Sequence, residues 1–343
     1  TAGFELPHFE TLTDLEYNDG LDLGALNPWG WSPAAHFFLR TLKEKCTGEF
    51  RASPVFEWTE VSRSLYERQT SLNFLSELIR KNCLPGLISG EDTGESIGTI
   101  SDIESYLQRH LRVVLKAPLS SSGRGIQMIR NGNFNNASRQ WLSGVLRQQS
   151  YVIAEPLLDR VADLSFQFRV GYQGEIWYLG HTFFETNSNG QYQATLIQPR
   201  LGDLFGTDEV QRVQQLIETT AAILTENLSD SVYARNYSGF LGIDALFFRK
   251  NDELLIQPCI EINCRMTMGI LTVTLAQKLH PASMGKFTIY FGRAGEYQQF
   301  VKEMNRLRPL KLENGKLIEG FFSLTEPDEK TKFGAYISLG DAR

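Results

Sequence analysis

The chain has 343 residues, a length typical of two domains or of one large domain with subdomains. Its 42% of hydrophobic and 22% of charged residues are those of an ordinary globular protein, which excludes global disorder. Basic side chains number 34 and acidic ones 40, and the resulting net charge of −6 argues against a dedicated nucleic-acid-binding protein. No apolar run approaches the ~18 residues that span a bilayer. We therefore expect neither a nucleic acid nor a membrane as a partner.

The chain opens with TAGFELPHFE, which has neither an initiator methionine nor the basic and apolar regions of a signal peptide. We therefore expect the native start to be missing. Four cysteines are too few for a disulfide scaffold in a chain of this length, so they are expected to be the reduced thiols of a cytoplasmic protein.

The first 62 residues are rich in aromatic side chains and show no clear hydrophobic period. Within them, two prolines and a glycine punctuate the run LNPWGWSP (26–33), after which a helix is predicted over 34–45. The next predicted helix spans about 65–81, because its leucines recur on one face. The tryptophans of the run could stack on a ligand, but packing is their more frequent role.

The remainder of the chain mixes helices and strands. A helix over 101–111 is predicted to begin at Ser101 as its N-cap, with Glu104 completing a capping box. Two further predicted helices cover 141–149 and 209–228. The predicted strands are 112–118, 126–130, 151–158, the two arms of a hairpin over 164–186 that turns at Gln173-Gly174, 239–249 and 254–264. Since no regular strand–helix–strand alternation is present, the predicted class is α+β.

A lysine at the end of a predicted strand precedes a polar loop that contains glycines. The lysine is Lys116, and the loop consists of Ser120, Ser121, Ser122, Gly123, Arg124 and Gly125. Successive backbone N–H groups in such a loop form a nest for an anion, and glycine lets that backbone approach closely. The hydroxyls and the lysine charge would then bind phosphate oxygens. The alternative interpretation is a plain polar hairpin turn.

The sequence lacks the motifs of three better-known nucleotide-binding classes. It has no GxxxxGK[ST] loop, GRGIQM lacks the third glycine of the dinucleotide fingerprint, and the HRD and DFG kinase signatures are absent. A hydrolase is indicated only by GESIG (94–98), a match to GxSxG that does not follow a buried strand. Ser96 is therefore a weak candidate nucleophile.

Two neighbouring predicted strands carry oxygen ligands within apolar surroundings. Asp244 lies in FLGIDALFF, and Glu261 and Asn263 lie two residues apart on the next strand, so their side chains share a face. Three oxygen ligands without His or Cys describe a Mg²⁺ site, with Mn²⁺ as an alternative ion, that water and phosphate oxygens complete. Burying carboxylates is costly unless a charged group satisfies them. The alternative is a pair of salt bridges to arginines such as Arg265.

Three further residues are candidates for binding the nucleotide or the substrate because of their positions in the sequence. Glu155 ends an apolar strand directly before a proline, and Asp163 follows eight residues later. Such a hinge could bind an adenine and its ribose, although either acid alone would more often be a surface residue. Arg265 follows the candidate metal ligands, where a cation could stabilise a transferring phosphoryl group or bind a carboxylate through two hydrogen bonds.

In this order, these features resemble the ATP-grasp superfamily of carboxylate-activating ligases, from about Leu65 to the end of the chain. The matching segments are VVLKAPLSSSGRGI, YVIAEPLL, GFLGID and IEINCRMTMG. Together with the NPWGWSP run, they are most similar to a bacterial subgroup of this superfamily. The resemblance implies an ATP-grasp fold, in which two α+β lobes clamp the nucleotide. It implies an ATP-grasp domain over 63–343, with a glycine-loop lobe at about 112–155 and a metal-binding lobe at about 156–343.

The resemblance also implies roles for the candidate residues. ATP phosphates would be held by Lys116 and by the loop residues Ser120, Ser121, Ser122, Gly123 and Gly125. Glu155 and Asp163 would contact adenine and ribose. Arg68 would be a second phosphate-binding cation, in place of the lysine that is usual in the family. The metal ligands would be Asp244, Glu261 and Asn263.

Members of the superfamily normally open with a strand-rich pre-grasp segment. The sequence contains no complete segment of this kind before Leu26. We therefore expect 1–62 to be a partial, truncated N-terminal segment that contributes to the substrate site.

The resemblance implies an ATP-dependent ligase. A carboxylate would attack the γ-phosphate of ATP to give an acylphosphate and ADP, and an amine or a similar nucleophile would then displace phosphate. Lys116 and Arg265 would neutralise charge together with the metal. The implied substrates are small-molecule or peptide carboxylates and amines, and a homodimer is expected because dimers are common among such ligases. The rival interpretation is a nucleotide-binding regulatory or scaffold protein of the same fold without ligase activity.

Overall fold

The computed structural model describes residues 22–120, 125–187 and 190–340. The helices are α1 (Pro33–Phe38), α2 (Arg40–Lys43), α3 (Gly48–Arg51), α4 (Glu60–Ser64), α5 (Arg68–Lys81), α6 (Ile100–Arg109), α7 (Asn136–Gln149), α8 (Leu201–Phe205), α9 (Val210–Ser229), α10 (Val232–Asn236), α11 (Met268–Ala276) and α12 (Glu296–Leu307). The strands are β1 (Glu95–Ile97), β2 (Val113–Lys116), β3 (Ile126–Ile129), β4 (Val152–Pro156), β5 (Asp159–Val170), β6 (Ile176–Thr186), β7 (Tyr192–Ile197), β8 (Gly239–Lys250), β9 (Glu253–Asn263), β10 (Gly285–Phe291), β11 (Lys311–Glu313), β12 (Lys316–Ser323) and β13 (Phe333–Leu339). None of these helices is long and apolar enough to cross a bilayer. The predicted α+β class is confirmed.

The strands form two antiparallel sheets, and each sheet organises one lobe. The small sheet has the strand order β1-β4-β2-β3, and the large sheet has the order β11-β12-β13-β10-β7-β6-β5-β8-β9. Helices α6 and α7 bury their apolar faces against the small sheet, in a core that contains Ile97, Ile103, Leu107, Val113, Leu115, Leu142 and Val152. The small lobe therefore extends from β1 to β4, over residues 95–156.

The two faces of the large sheet are covered differently. On one face, the side chains are buried in the main core with apolar residues of α5 and α9. The buried core residues of β5 are Leu164, Phe166, Phe168 and Val170. The opposite face presents Gln167, and α11 covers one end of it. There the N-cap residue of α11, Thr267, donates from Oγ1 to Gln167 Oε1 at 2.6 Å. The candidate site lies farther along this second face, at Asp244.

Strand β9 is an edge of the large sheet, and its outer side is covered by chain from before the small lobe. Ile88 N donates to Ile256 O at 2.9 Å, and Ile256 N donates to Gly86 O at 2.8 Å. Farther along, Ile262 N donates to the hydroxyl of Ser71, on α5, at 3.0 Å. These contacts satisfy backbone groups that an exposed edge strand would leave unpaired.

The described N-terminal segment, residues 22–62, consists of short helices and not of the strands that a pre-grasp segment would contain. Its strand-like pairing is limited to isolated bridges, one of which joins Gly30 to Arg265. Trp31 and Phe50 are buried in the main core of the large lobe. The segment is therefore packed onto the large lobe, beside the residues that follow β9.

Two helices differ from their predictions. The helix predicted over 34–45 is divided at Leu39, whose φ of −96° and ψ of 4° lie outside the helical region, so α1 and α2 are separate. Helix α7 begins at Asn136 instead of at residue 141. The side chain of Asn135 caps its N-terminus by accepting a hydrogen bond from Ser138 N at 3.0 Å.

The N-cap of α6 also differs from the prediction. The helix begins at Ile100, so its N-cap is Thr99 and not Ser101. Glu104 forms an ion pair with Arg139 on α7 and does not complete a capping box. The sequence offers several polar residues here, and the one that precedes the buried face of the helix is used.

Thr99→Ala is expected to lower the free energy of unfolding by about 1 kcal/mol. The reason is that Thr99 Oγ1 accepts a hydrogen bond from Asp102 N at 3.1 Å, one of the donors that a helix N-terminus leaves unpaired. Ser101→Ala is the matched control and should change the free energy by less than about 0.5 kcal/mol. Urea denaturation measures both, and equal losses would contradict the assignment of Thr99 as the cap.

Candidate functional site

The last residue of β2 and the predicted hinge acid of β4 form a buried ion pair. Lys116 Nζ donates to Glu155 Oε2 at 2.6 Å, and the two side chains are only 8% and 19% exposed. In the β2–β4 register Glu155 lies opposite Val114, two residues before Lys116, so both charged side chains project from one face of the small sheet. Two predicted nucleotide ligands therefore neutralise each other in this structure.

The two ends of the glycine-containing loop are joined by a backbone hydrogen bond at its base. Ala117 N donates to Gly125 O at 2.8 Å, which brings the two ends of the loop together. A Cβ atom on Gly125 would lie 2.3 Å from Ser120 Oγ, so this close approach requires glycine. The remaining predicted phosphate ligands of the loop lie outside the described residues, and their role stays a prediction: Ser121, Ser122 and Gly123.

Arg68, the first residue of α5, connects this loop with the large sheet. Its Nη1 donates to Ala117 O and to Ser120 Oγ, both at 2.6 Å. Its Nη2 lies 3.3 Å from Glu261 Oε1 and 3.4 Å from Glu261 Oε2. The Arg68 side chain is 5% exposed, and its Nε is buried without a hydrogen-bond partner in the described structure. A buried cation with an unused donor therefore lies at the predicted phosphate site.

The predicted metal ligands lie together on β8 and β9. Asp244 is opposite Glu261 in the strand register. Asn263 Nδ2 donates to Asp244 Oδ2 at 3.0 Å, and Arg265 Nη2 donates to Asn263 Oδ1 at 2.9 Å. Asp244, Glu261 and Asn263 form one row, which we call the ligand row, and Arg265 lies directly beside it. Arg68 forms an ion pair with the Glu261 carboxylate, whereas Arg265 donates a hydrogen bond to the side-chain amide of Asn263.

The ligand row has the donor set of a hard divalent cation. Burial and the neighbouring Glu261 carboxylate raise the pKa of Asp244 to about 6, which shows that its negative charge is poorly compensated. In the described ranges, no group of three His, Cys, Asp or Glu side chains is placed to hold a metal ion, so a metal ion held by the row would need the amide of Asn263 as a third ligand. Two carboxylates and an amide oxygen suit Mg²⁺, which fills its other positions with water and phosphate oxygens.

Asp163 lies on the same face of the large sheet as the ligand row. It is two residues from Ser165 on β5, and Ser165 is opposite Asp244, so Asp163 and Asp244 are about 7 Å apart along the strand direction. The Asp163 carboxylate accepts hydrogen bonds from Arg160 Nη1 and Thr186 Oγ1, each at 3.0 Å. These three residues also line a cavity of about 200 Å³, whose other lining residues include Phe184 and Glu185 and none of the ligand row. Asp163 is thus a neighbour of the row and not a member of it.

Part of the N-terminal segment, which was expected to contribute to the substrate site, contacts the chain at Arg265. Gly30 forms an antiparallel bridge with Arg265, and Met266 N donates to Trp29 O at 2.7 Å. Trp31 is buried and anchors the segment, whereas Trp29 is 47% exposed. We call Trp29, Gly30 and Trp31 the tryptophan strap. Its one sequence signal is the glycine between two tryptophans, which permits close approach of the two backbones.

The candidate hydrolase nucleophile and two of the cysteines lie within strands or in the core. Ser96 lies within β1, opposite Ile153 of β4, and not at a turn from a strand into a helix, so the geometry of a hydrolase nucleophile is absent. Cys259 and Cys264 are buried, and burial raises the pKa of both thiols. Both are therefore small core residues, because a buried thiol of raised pKa is inert.

Neither a protein-family model nor a curated protein matches the sequence. Solved structures do match the fold. N5-carboxyaminoimidazole synthetase from Staphylococcus aureus, complexed with ADP, is 16% identical at a TM-score of 0.52, and the match covers 89% of this chain and 80% of that chain. Biotin carboxylase from Campylobacter jejuni, in a β-γ-ATP complex, is 12% identical at a TM-score of 0.57, covering 93% and 71% of the two chains.

A third similar structure contains a small carboxylate-like anion as well as nucleotide. It is the biotin carboxylase domain dimer of Hydrogenobacter thermophilus 2-oxoglutarate carboxylase, in complex with MgADP, ADP and bicarbonate. It is 13% identical at a TM-score of 0.56, and the match covers 96% of this chain and 72% of that chain. At these identities the likeness establishes the fold alone.

Proposed function

The chain has the ATP-grasp fold, and on this premise we propose that it is an ATP-dependent ligase that joins a carboxylate to an amine. In the proposed reaction, a carboxylate oxygen bonds to the γ-phosphorus of ATP while the bond from that phosphorus to the β–γ bridging oxygen breaks. The products of this step are an acylphosphate and ADP. The amine nitrogen then bonds to the acyl carbon and loses a proton, and the carbon–oxygen bond to phosphate breaks.

One observation carries this proposal. Arg68 contacts both the base of the glycine-containing loop, at Ser120 Oγ, and the carboxylate of Glu261 in the ligand row. The loop that follows β2 and a candidate metal ligand of the large sheet are thus within reach of one cationic side chain. A triphosphate requires both kinds of group, because its catalysis depends on positioning and charge neutralisation.

The proposed roles follow from the chemistry of each side chain. Lys116 and Arg68 would bind phosphate oxygens, and Gly125 would let the loop backbone approach them. Arg265, directly beside the ligand row, would orient the substrate carboxylate through paired N–H donors. The ligand row of Asp244, Glu261 and Asn263 would hold Mg²⁺, which supplies charge neutralisation when bound.

The adenosine would lie between β4 and the cavity beside Asp163. Glu155 is at the hinge between the lobes and would accept a hydrogen bond from the 6-amino group of adenine once Lys116 turns to the phosphates. Asp163 lies about 7 Å from the ligand row along the strand direction and would bind ribose hydroxyls. The cavity of about 200 Å³ that Asp163 lines has room for part of the sugar.

The substrate class is proposed from chemistry shared with similar structures. One of them holds bicarbonate with MgADP. Bicarbonate and small organic carboxylates are therefore the first phosphoryl-acceptor substrates to assay, each with a panel of primary amines. The same structure is a dimer, and we propose a homodimer for this chain as well.

Thermal unfolding with and without MgATP tests the nucleotide site directly. At about 100 times Kd, bound MgATP should add about 2.7 kcal/mol to the native state. For a chain of this size, that is a rise in Tm of a few degrees. MgCl₂ alone and ATP with EDTA are the controls. A folded protein whose Tm does not respond to MgATP would contradict the proposal.

The rival function, a nucleotide-binding regulator or scaffold, is distinguished by turnover. A ligase releases ADP at a rate that depends on both carboxylate and amine, whereas a regulator would bind MgATP without substrate-dependent release. The position of Arg265 beside the ligand row favours the ligase. A protein that only binds nucleotide needs cations for the phosphates but no further cation for a substrate carboxylate.

Gly30→Val should lower ligase turnover by about tenfold or more while leaving MgATP affinity unchanged. A Cβ atom on Gly30 would lie 3.0 Å from Arg265 Cβ, so the added methyl groups would displace the arginine that orients the carboxylate. Gly24→Val is the matched control, because the space around Gly24 is open. Substrate-dependent ADP release and titration calorimetry with MgATP measure the two effects. An equal loss of MgATP affinity would contradict a role confined to Arg265.

A further inference from the structure

We propose that Arg68 is a switch between the metal site and the phosphate site: it holds Glu261 while the site is empty and transfers to phosphate when Mg²⁺ and nucleotide arrive together. This inference rests on the proposed function. It adds a prediction that the function alone does not make, namely that metal and nucleotide each bind weakly alone and tightly together.

Arg68 forms an ion pair with a candidate metal ligand. One of its nitrogens, Nη2, lies 3.3 Å from Glu261 Oε1 and 3.4 Å from Oε2, so the positive charge lies against both oxygens of the carboxylate. A Mg²⁺ ion needs a carboxylate oxygen at about 2.1 Å and repels a nearby cation. Mg²⁺ and Arg68 therefore compete for Glu261.

The Arg68 side chain cannot exchange Glu261 for water, because it is buried. The side chain is 5% exposed, and Nη1 remains bonded to Ala117 O and Ser120 Oγ. If Glu261 turned to a metal ion, the guanidinium would be a buried cation without a counter-charge, a costly state. Binding of the metal alone is therefore opposed.

A bound phosphate would replace Glu261 as the anion paired with Arg68. Arg68 already has a buried Nε without a partner, and loss of Glu261 would free Nη2 as well. Two donors from the planar guanidinium match two phosphate oxygens, while the third nitrogen keeps its bonds to the loop. A lysine has no such fork, so arginine at this position suits an exchange of one anion for another.

The experiment measures this linkage in the full chain by titration with Mn²⁺, followed by electron paramagnetic resonance, with and without ADP. For the wild type we expect ADP to tighten Mn²⁺ binding at least about tenfold, within the usual range of linkage between two ligands. For Arg68→Gln we expect Mn²⁺ alone to bind about tenfold more tightly than in the wild type, ADP to bind more weakly, and the linkage to fall towards onefold.

Arg80→Gln is the matched control, because Arg80 lies on the same helix in an exposed pair with Glu77. Arg68→Lys keeps the charge and serves if the glutamine variant fails to fold; it should leave Mn²⁺ affinity near the wild-type value while weakening ADP binding. The inference is overturned if folded Arg68→Gln retains the wild-type linkage, if Mn²⁺ alone binds more weakly to Arg68→Gln than to the wild type, or if folded Arg68→Lys binds ADP as tightly as the wild type. A wild type that binds Mn²⁺ but no nucleotide would instead refute the proposed function.

Discussion

Asp244→Asn is expected to abolish Mg²⁺-dependent ATP binding and, at the same time, to stabilise the ligand-free protein. The substitution removes one of the two carboxylates of the ligand row, so affinity for MgATP should fall by at least about 100-fold. The amide side chain has the same shape and can still accept the hydrogen bond from Asn263 Nδ2. The loss would therefore be one of charge and not of packing.

The expected stabilisation follows from the raised pKa of the Asp244 carboxyl. A rise from 3.8 to about 6 means that the folded protein binds this proton more tightly than the unfolded chain does. Stability is therefore lost as the pH rises from 3.8 to 6, and the full penalty, about 3 kcal/mol, is present above pH 6. The asparagine variant should gain about this amount at pH 8 and nothing below pH 4.

Denaturant unfolding in EDTA at several pH values measures the stability, and titration calorimetry measures MgATP affinity. Asp208→Asn, at an exposed position outside the site, is the matched control and should change neither quantity. An asparagine variant that is less stable than the wild type at pH 8, or that keeps wild-type MgATP affinity, would refute the metal assignment.

Lys116→Met is expected to lower both stability and ATP-dependent turnover. The change leaves the Glu155 carboxylate buried without its cation, which should reduce the free energy of unfolding by about 3 kcal/mol. It also removes a point charge from the phosphates, for which we expect a loss of at least about 100-fold in ADP release. The double variant Lys116→Met with Glu155→Gln should recover most of the stability and none of the turnover.

Lys286→Met is the control for the loss of an ordinary ion pair. Lys286 pairs with Glu185 at 2.8 Å, but the two side chains are 40% and 44% exposed, so less than about 1 kcal/mol is expected to be lost. If Lys116→Met lost no more stability than this control, the Lys116–Glu155 pair would not be the buried contact described here. Retained turnover in Lys116→Met would remove the lysine from the phosphate site.

Much of the candidate site could be predicted because its signals are local in sequence. Glu261 and Asn263 are two residues apart on a strand, which places them on one face whatever the rest of the chain does. Asp244 was recognisable because a carboxylate within an apolar strand requires a reason. The class α+β likewise followed from the mixture of short periodic segments, and the similar solved structures confirm the ATP-grasp resemblance at the level of fold.

The rest depends on contacts between residues distant in the chain. The ion pair of Arg68 with Glu261 joins positions 193 residues apart, and no pattern within either segment specifies the other. The same holds for Gly30 and Arg265, which only the folded backbone brings together. The N-cap of α6 was predicted wrongly for a different reason. Several neighbouring residues can cap a helix, and the hydroxyl that accepts the backbone hydrogen bond is that of Thr99.

The covered edge of β9 has a consequence for the register of its pairing with β8. In a strand, a slip by one residue turns every side chain to the opposite face, so Glu261 and Asn263 would enter the hydrophobic core and Ile262 would take their place. Such slips are easiest at the outermost strand of a sheet. The hydrogen bond from Ile262 N to the Ser71 hydroxyl, and those of Ile256 with the chain before the small lobe, hold this strand from its free side. The alignment of Glu261 with Asp244 is thus secured by α5 and by the chain between α5 and the small lobe.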